Sequence, residues 1–153
     1  MSTEIVSMDS TAPDNSIASQ ITAMRTGNID IYTGVKPVSF ADRVAMMKAV
    51  SGSAPVAENL NQVFNVVNII IQSLEMADEQ TGEMGQVPRI TFVTADNKSF
   101  SAISGVLLRD VKLLLAVMGE PENWGGPVPI SITREGTGSR KYFVLEVLDT
   151  PAK

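Results

Sequence analysis

Nine residues constrain this chain more than any others: "VFNVVNIII", residues 63–71, in which seven are β-branched or aromatic. Branching at Cβ stiffens χ1 and suits a pleated backbone, and the two asparagines in the run are poor helix formers. Leu60, Val63, Val67, Ile70 and Leu74 would also fit one helical face, so spacing alone leaves the segment ambiguous. Composition decides it. The sequence predicts a long strand over 60–76, bent or bulged in its middle.

The elements after it follow from local signals. "ADEQTGEMGQ" (77–86) reads as a polar, Gly-containing loop, and "VPRITFVTA" as a second strand with Pro88 at its start, where a missing donor is tolerated. "DNKS" turns the chain into a third strand, "SFSAIS". Ser104 then caps a helix, "GVLLRDVKLLLAVMG", that ends at Gly119 with Pro121 just beyond. After the loop "EPENWGGPVP", "VPISITR" and "RKYFVLEVL" form a hairpin across "EGTGS". Strand, strand, strand, helix, strand, strand is the order of an OB-fold, a mainly β five-stranded Greek-key barrel. In that fold strands 2 and 3, with the 1–2 and 4–5 loops, commonly face oligonucleotides. Residues 88–104 would be strands 2 and 3.

Upstream, residues 1–27 are rich in Ser, Thr, Asp and Ala without sustained periodicity and read as a mobile polar tail. Residues 28–59 read as an N-terminal extension. In it "NIDIYTGV" alternates Ile29, Ile31 and Val35 with polar residues, a short strand closed by Gly34. Ser39 with Asp42 three positions on starts a helix with Val44, Met47 and Val50 on one side, and "SGSAP" breaks it. The barrel domain would span 60–149, with 150–153 as a short tail.

Composition narrows the chemistry. The 153 residues contain no cysteine and no histidine, which removes thiolate catalysis, disulfides, the commonest general base and the commonest metal ligand. A non-enzymatic binding protein without cofactor or metal is the expectation. The acidic, polar N-terminus resembles neither a signal nor a transit peptide, and no apolar run approaches the ~20 residues that span a bilayer. A cytoplasmic protein with no membrane partner is expected. Net charge is −5, but it is unevenly spread. Val87 to Leu145 holds seven bases and five acids, and the remainder five bases and twelve acids.

The stretch "VFNVVNIIIQSLEMADEQTGEMGQVPRITFVTADNKSFSAISGVLLRDVKLLLAVMGEPENWGGPVPISI" resembles the single-stranded DNA-binding proteins encoded by tailed phages of Gram-positive hosts. The shared features are the β-rich "VVNIIIQSLEM", the acidic "DEQTGE" loop before an Arg-bearing strand, and the "FSAIS" cap of an apolar helix. "GEPENWGGPVPI" and a basic, Gly-containing hairpin complete the series, and the likeness covers roughly residues 43–149. It implies an OB-fold that coats single-stranded DNA during phage replication, in the host cytoplasm, without sequence preference. Self-association and replication proteins are the further partners it suggests. The 5% aromatic content departs from a protein that stacks many bases.

Such a binder needs rings for bases and cations for the backbone. The candidates are Arg89, Lys98, Phe100, Arg134, Arg140, Lys141 and Tyr142. The five cations are expected to be exposed whatever they do. Phe92 is better read as core, whereas Phe100, beside the turn and flanked by serines, divides evenly between core and base stacking. "REGTGSRKYF" (134–143) is the most specific cluster, since cations and a ring bracket a flexible tip; a plain charged-edge hairpin is the competing reading. Trp124 in its Gly/Pro loop reads as a plug for the barrel's end.

Helix 105–118 has one polar stripe, Gly105, Arg109, Lys112 and Ala116, and more apolar surface than a barrel cap needs. Its second apolar face is expected to pack on residues 29–50 or on another subunit. Asp110, within the apolar arc, needs a partner if buried and otherwise marks the solvent edge. The alternative function is therefore an OB-fold protein–protein module, an accessory or structural subunit working through this helix.

Overall fold

The computed structural model describes residues 31–78 and 80–149. The tail read over 1–27, Ile29 and residues 150–153 lie outside them. In chain order the elements are β1 (Ile31–Thr33), α1 (Phe40–Ser51), β2 (Ala54–Pro55), β3 (Val63–Ala77), β4 (Met84–Thr94), β5 (Ser99–Ile103), α2 (Gly105–Met118), β6 (Val128–Glu135) and β7 (Tyr142–Val147). Single 3-10 turns stand at Val56–Glu58 and Pro121–Asn123. The chain is mainly β. One sheet runs in the order β2-β5-β4-β3-β6-β7, with β1 also on β3, and curls as a half-barrel around the core.

β3 organises the sheet, and its bulge explains its composition. Phe64 and Val66 point inward at even positions, Ile69 and Ile71 at odd ones, and the register slips between Val66 and Asn68. One extra residue reverses the parity, so the same strand keeps its inner face apolar on both sides of the slip. Asn68 Oδ1 holds the irregularity, accepting from Val35 N–H and Ile69 N–H, each at 2.8 Å. At the bulge the outer edge of β3 also changes neighbour, from β6 along Val63–Val66 to β1 along Ile70–Gln72.

Two sequence expectations shift by register. On β1 the buried residue is Tyr32, opposite inward Ile71, while Ile31 faces solvent opposite Gln72. The apolar alternation that includes Ile31 is thus not the buried face of this strand. β4 begins at Met84 rather than at Val87, because residues 84–86, read as loop, pair with Glu75–Ala77 of β3. Pro88 lies inside this strand at no cost to the β3 ladder. Its carbonyl accepts from Ser104 N–H on the β5 side, and the nitrogen of an extended residue points the same way.

Inside the curl, Ile69, Ile71, Ile90, Phe92, Ile130 and Ile132 are fully buried with Leu107, Val111 and Leu115 of α2. Each such side chain contributes about 1.5–3 kcal/mol by leaving water. Trp124 packs partly buried on this core and donates from Nε1 to Gly119 O at 2.8 Å, closing the α2 end. Gly34 is required where β1 turns away, since a Cβ there would collide with the Pro121 ring.

The five central strands do not close on themselves through β5 and β7. β5 gives its second edge to β2 in parallel, and the outer edge of β7 meets α2, where Asp110 Oδ2 accepts from Leu145 N–H at 3.2 Å. Asp110 is thus a half-buried carboxylate with an amide partner, not a marker of the solvent edge. The second apolar face of α2 is not covered by residues 31–50. Leu113 and Val117 are 65% and 73% exposed, because α1 lies elsewhere, on the outer face of β4 and β5.

Candidate nucleic-acid interface

Two turns leave the sheet at the end where β3 begins. Val66 faces Thr94 of β4 and Val63 faces Ser131 of β6, so the β4–β5 turn (95–98) and the β6–β7 loop (136–141) flank the same end. Ala95 N–H donates to Asn65 O, and Asn61 N–H to Ile132 O, each at 2.9 Å, which ties both neighbours to β3.

The first turn is stiff. Asn97 takes φ 65, Thr94 N–H donates to Lys98 O at 2.8 Å, and the Thr94 hydroxyl donates to the Asp96 carboxylate. That hydroxyl, with the Lys98 charge adding to it, holds the Asp96 carboxyl below the usual carboxylate range. Lys98 Nζ lies 3.7 Å from Asp96 and stays largely exposed. Beside it Phe64 and Phe100 pair with ring centroids 4.3 Å apart, at the base of a groove of about 310 Å³ that Gln62, Asn65 and Lys98 also line.

The second turn is the basic arm. Gly136 sits at φ 96, where a Cβ would run into the Arg140 carbonyl, so this tight reversal admits only glycine. Arg134 and Phe143 are cross-strand partners, and the guanidinium stands 5.1 Å over the ring. Arg140, Lys141 and Tyr142 are exposed. Arg134, Arg140 and Lys141 form no ion pair with a described residue. Their charge is available to an anion.

One candidate residue is placed otherwise than its sequence reading, and a second falls on one side of its two alternatives. Arg89 is half-buried, not an exposed cation. It donates to Gln72 Oε1 (3.1 Å), Val50 O (3.0 Å), Ser53 Oγ (2.9 Å) and Ser101 Oγ (3.2 Å), which makes it a strut between sheet and α1. The cause is α1 itself, which occupies the outer face where Arg89 would have met solvent. Phe100 is 9% exposed because its alternation points inward and the Phe64 ring covers it. Phe92 is fully buried. Phe64 was missed as a partner, since its pairing depends on a register between segments 36 residues apart in number.

At the other end of β3, Asp78 Oδ1 accepts from Gln80 N–H and Thr81 N–H. A larger cleft, about 600 Å³, lies between that end of the sheet and α2, with Arg109 and Lys112 on its wall. Among the described residues no cluster of carboxylates could hold a metal ion, and no helix is long and apolar enough to cross a membrane. No protein-family model, curated protein or solved structure matches the chain.

Proposed function

We propose that this is a non-enzymatic protein that binds single-stranded DNA without sequence preference at the hairpin end of its sheet. In this reading the curled sheet is an OB-fold whose five strands are β3 to β7, and the biological setting is phage DNA replication. The observation that carries it is the β6–β7 arm: three cations that form no ion pair with a described residue, beside Tyr142 and Phe143, stand at the same end of the sheet as Lys98. Phosphates would meet Arg134, Arg140, Lys141 and Lys98, and Tyr142 offers a face for one base, a contact of about 1–3 kcal/mol. Arg89 and Phe100 are left out, because both are already engaged. The β5-β4-β3-β6-β7 order and the helix between β5 and β6 support the fold assignment.

The test is fluorescence anisotropy with a labelled mixed-sequence oligonucleotide at low and moderate salt. Binding that weakens steeply as salt rises supports the reading, and no binding at low salt ends it. The second reading, a protein–protein module, is favoured by one observation: the uncovered apolar face of α2.

A further inference from the structure

We infer that the chain assembles head to tail, with the outer face of α1 of one copy seated in the groove between α2 and β7 of the next. Two apolar surfaces on this protein lack a cover among its described residues, and they differ in shape and charge. The first is a ridge. Phe40, Val44 and Met47 fall at i, i+4 and i+7 on α1, and Phe40 and Met47 are 78% and 69% exposed. At 100° per residue, Arg43 and Lys48 flank this stripe on its two sides, and neither forms an ion pair with a described residue. The inward side of α1 is occupied instead by Met46 and Ala49, which line a small cavity against Ile70 and Val93.

The second surface is a groove of about 420 Å³, walled by Leu113, Val117 and Met118 of α2 and by Leu145 and Val147 of β7. Its charged lining residues are Glu146, which forms no ion pair with a described residue, and Asp110, which has Arg109 at 4.0 Å; no lysine or arginine lines it. A ridge with basic flanks therefore matches a groove with an acidic rim, and both belong to the same chain. A solvent-facing apolar stripe on each is costly for a free monomer, and docking removes both exposures at once. With α1 on the outer face of β4 and β5 and the groove at β7, at the other end of the strand order, one union leaves a ridge and a groove free. That is a heterologous contact, which builds open chains or rings rather than stopping at a two-fold dimer. The inference stands without the nucleic-acid reading.

The experiment is sedimentation velocity of the full chain over a wide concentration range, with two double variants. Phe40→Asp with Met47→Asp destroys the ridge, and Leu113→Asp with Val117→Asp destroys the groove. All four side chains are at least 65% exposed, so folding should survive, and circular dichroism checks it. The wild type should grow in mass past a dimer as concentration rises. Each variant alone should lose self-association by at least about 30-fold, the scale of interface anchor residues. Mixed in equal amounts, the two variants should stop at a heterodimer, because one good ridge still meets one good groove. A parallel pair, Arg43→Glu with Lys48→Glu, should associate weakly and recover with a partner carrying Glu146→Lys. A wild type that stays monomeric, a single variant that self-associates normally, or a mixture that remains monomeric would overturn the inference.

Discussion

The two helices start alike and are used differently. Each has a serine N-cap whose hydroxyl accepts from the N3 amide, Ser39 from Asp42 and Ser104 from Leu107. Yet α2 buries Leu107, Leu108, Val111, Leu114 and Leu115 in the core, whereas α1 buries no residue fully. What holds α1 is polar: Arg89 to Val50 O, Ser99 Oγ to Ala49 O at 2.7 Å, and the Ser53–Ser101 hydroxyl pair at 2.7 Å. Most helix stability in proteins comes from packing an apolar face rather than from propensity or caps. The contrast teaches that α2 is part of the fold, while α1 is an applied layer that can be loosened without unfolding the sheet.

The largest expected effect tests that contrast in energy. Leu115→Ala should cost about 2–5 kcal/mol in urea unfolding, through lost burial and the cavity left in a fully packed site. Met46→Ala on α1 should cost less than about 1 kcal/mol, as its side chain is only half-buried. Equal losses would erase the distinction. Next in size, Arg89→Met should cost about 1–3 kcal/mol, since Ser53, Ser101 and Val50 each lose a charged donor. Hydrogen exchange should show α1 amides losing protection while those of α2 keep theirs.

The caps offer a smaller, sharper comparison. Ser104→Ala should lower global stability by about 1 kcal/mol. Ser39→Ala should mainly raise local fraying of α1, visible in exchange and faint in global unfolding. Smallest of all is a pH effect on α1. Asp42 accepts from the Val38 and Ser39 amides, and these hydrogen bonds hold its carboxyl below the usual range. A carboxyl with a depressed folded-state pKa stabilises the folded state above its unfolded value and loses that contribution as pH falls through the folded one. Protection of α1 should therefore fall below about pH 4, the ordinary carboxylate range. The N3 residue of α2 is Leu107, so its cap should be unaffected there.

What the sequence made legible, and what it hid, follows the range of the interactions. The long strand, its bulge and both helix starts lie in patterns a few residues wide: β-branched runs, serine caps and terminal glycines. The chain order of the long strands and of α2 could be read for the same reason. The partners of Arg89 could not, since they sit 12, 17, 36 and 39 residues away and depend on where α1 lands. Nor could the burial of Tyr32 over Ile31, because a three-residue strand takes its facing from its neighbour's register and not from its own alternation. Asp110 was half legible: its need for a partner was visible, the Leu145 amide was not. At the candidate interface, the arm with Arg134, Arg140, Lys141 and Tyr142 was legible because its cations and glycines are local. Phe100 was not, because the ring that covers it comes from β3.

On the proposed function, single-stranded DNA would be held by the β6–β7 arm and not by the basic wall of α2. The most direct measurement is the slope of log binding constant against log salt for three proteins: wild type, Arg140→Ala with Lys141→Ala, and Arg109→Ala with Lys112→Ala. Each phosphate contact on a single strand contributes a slope of about −0.7 through counterion release. If the arm holds the strand, the arm variant binds more weakly with a slope flatter by about 1.4, and the α2 variant matches the wild type. An unchanged arm variant, or a flattened slope in the α2 variant alone, would contradict it.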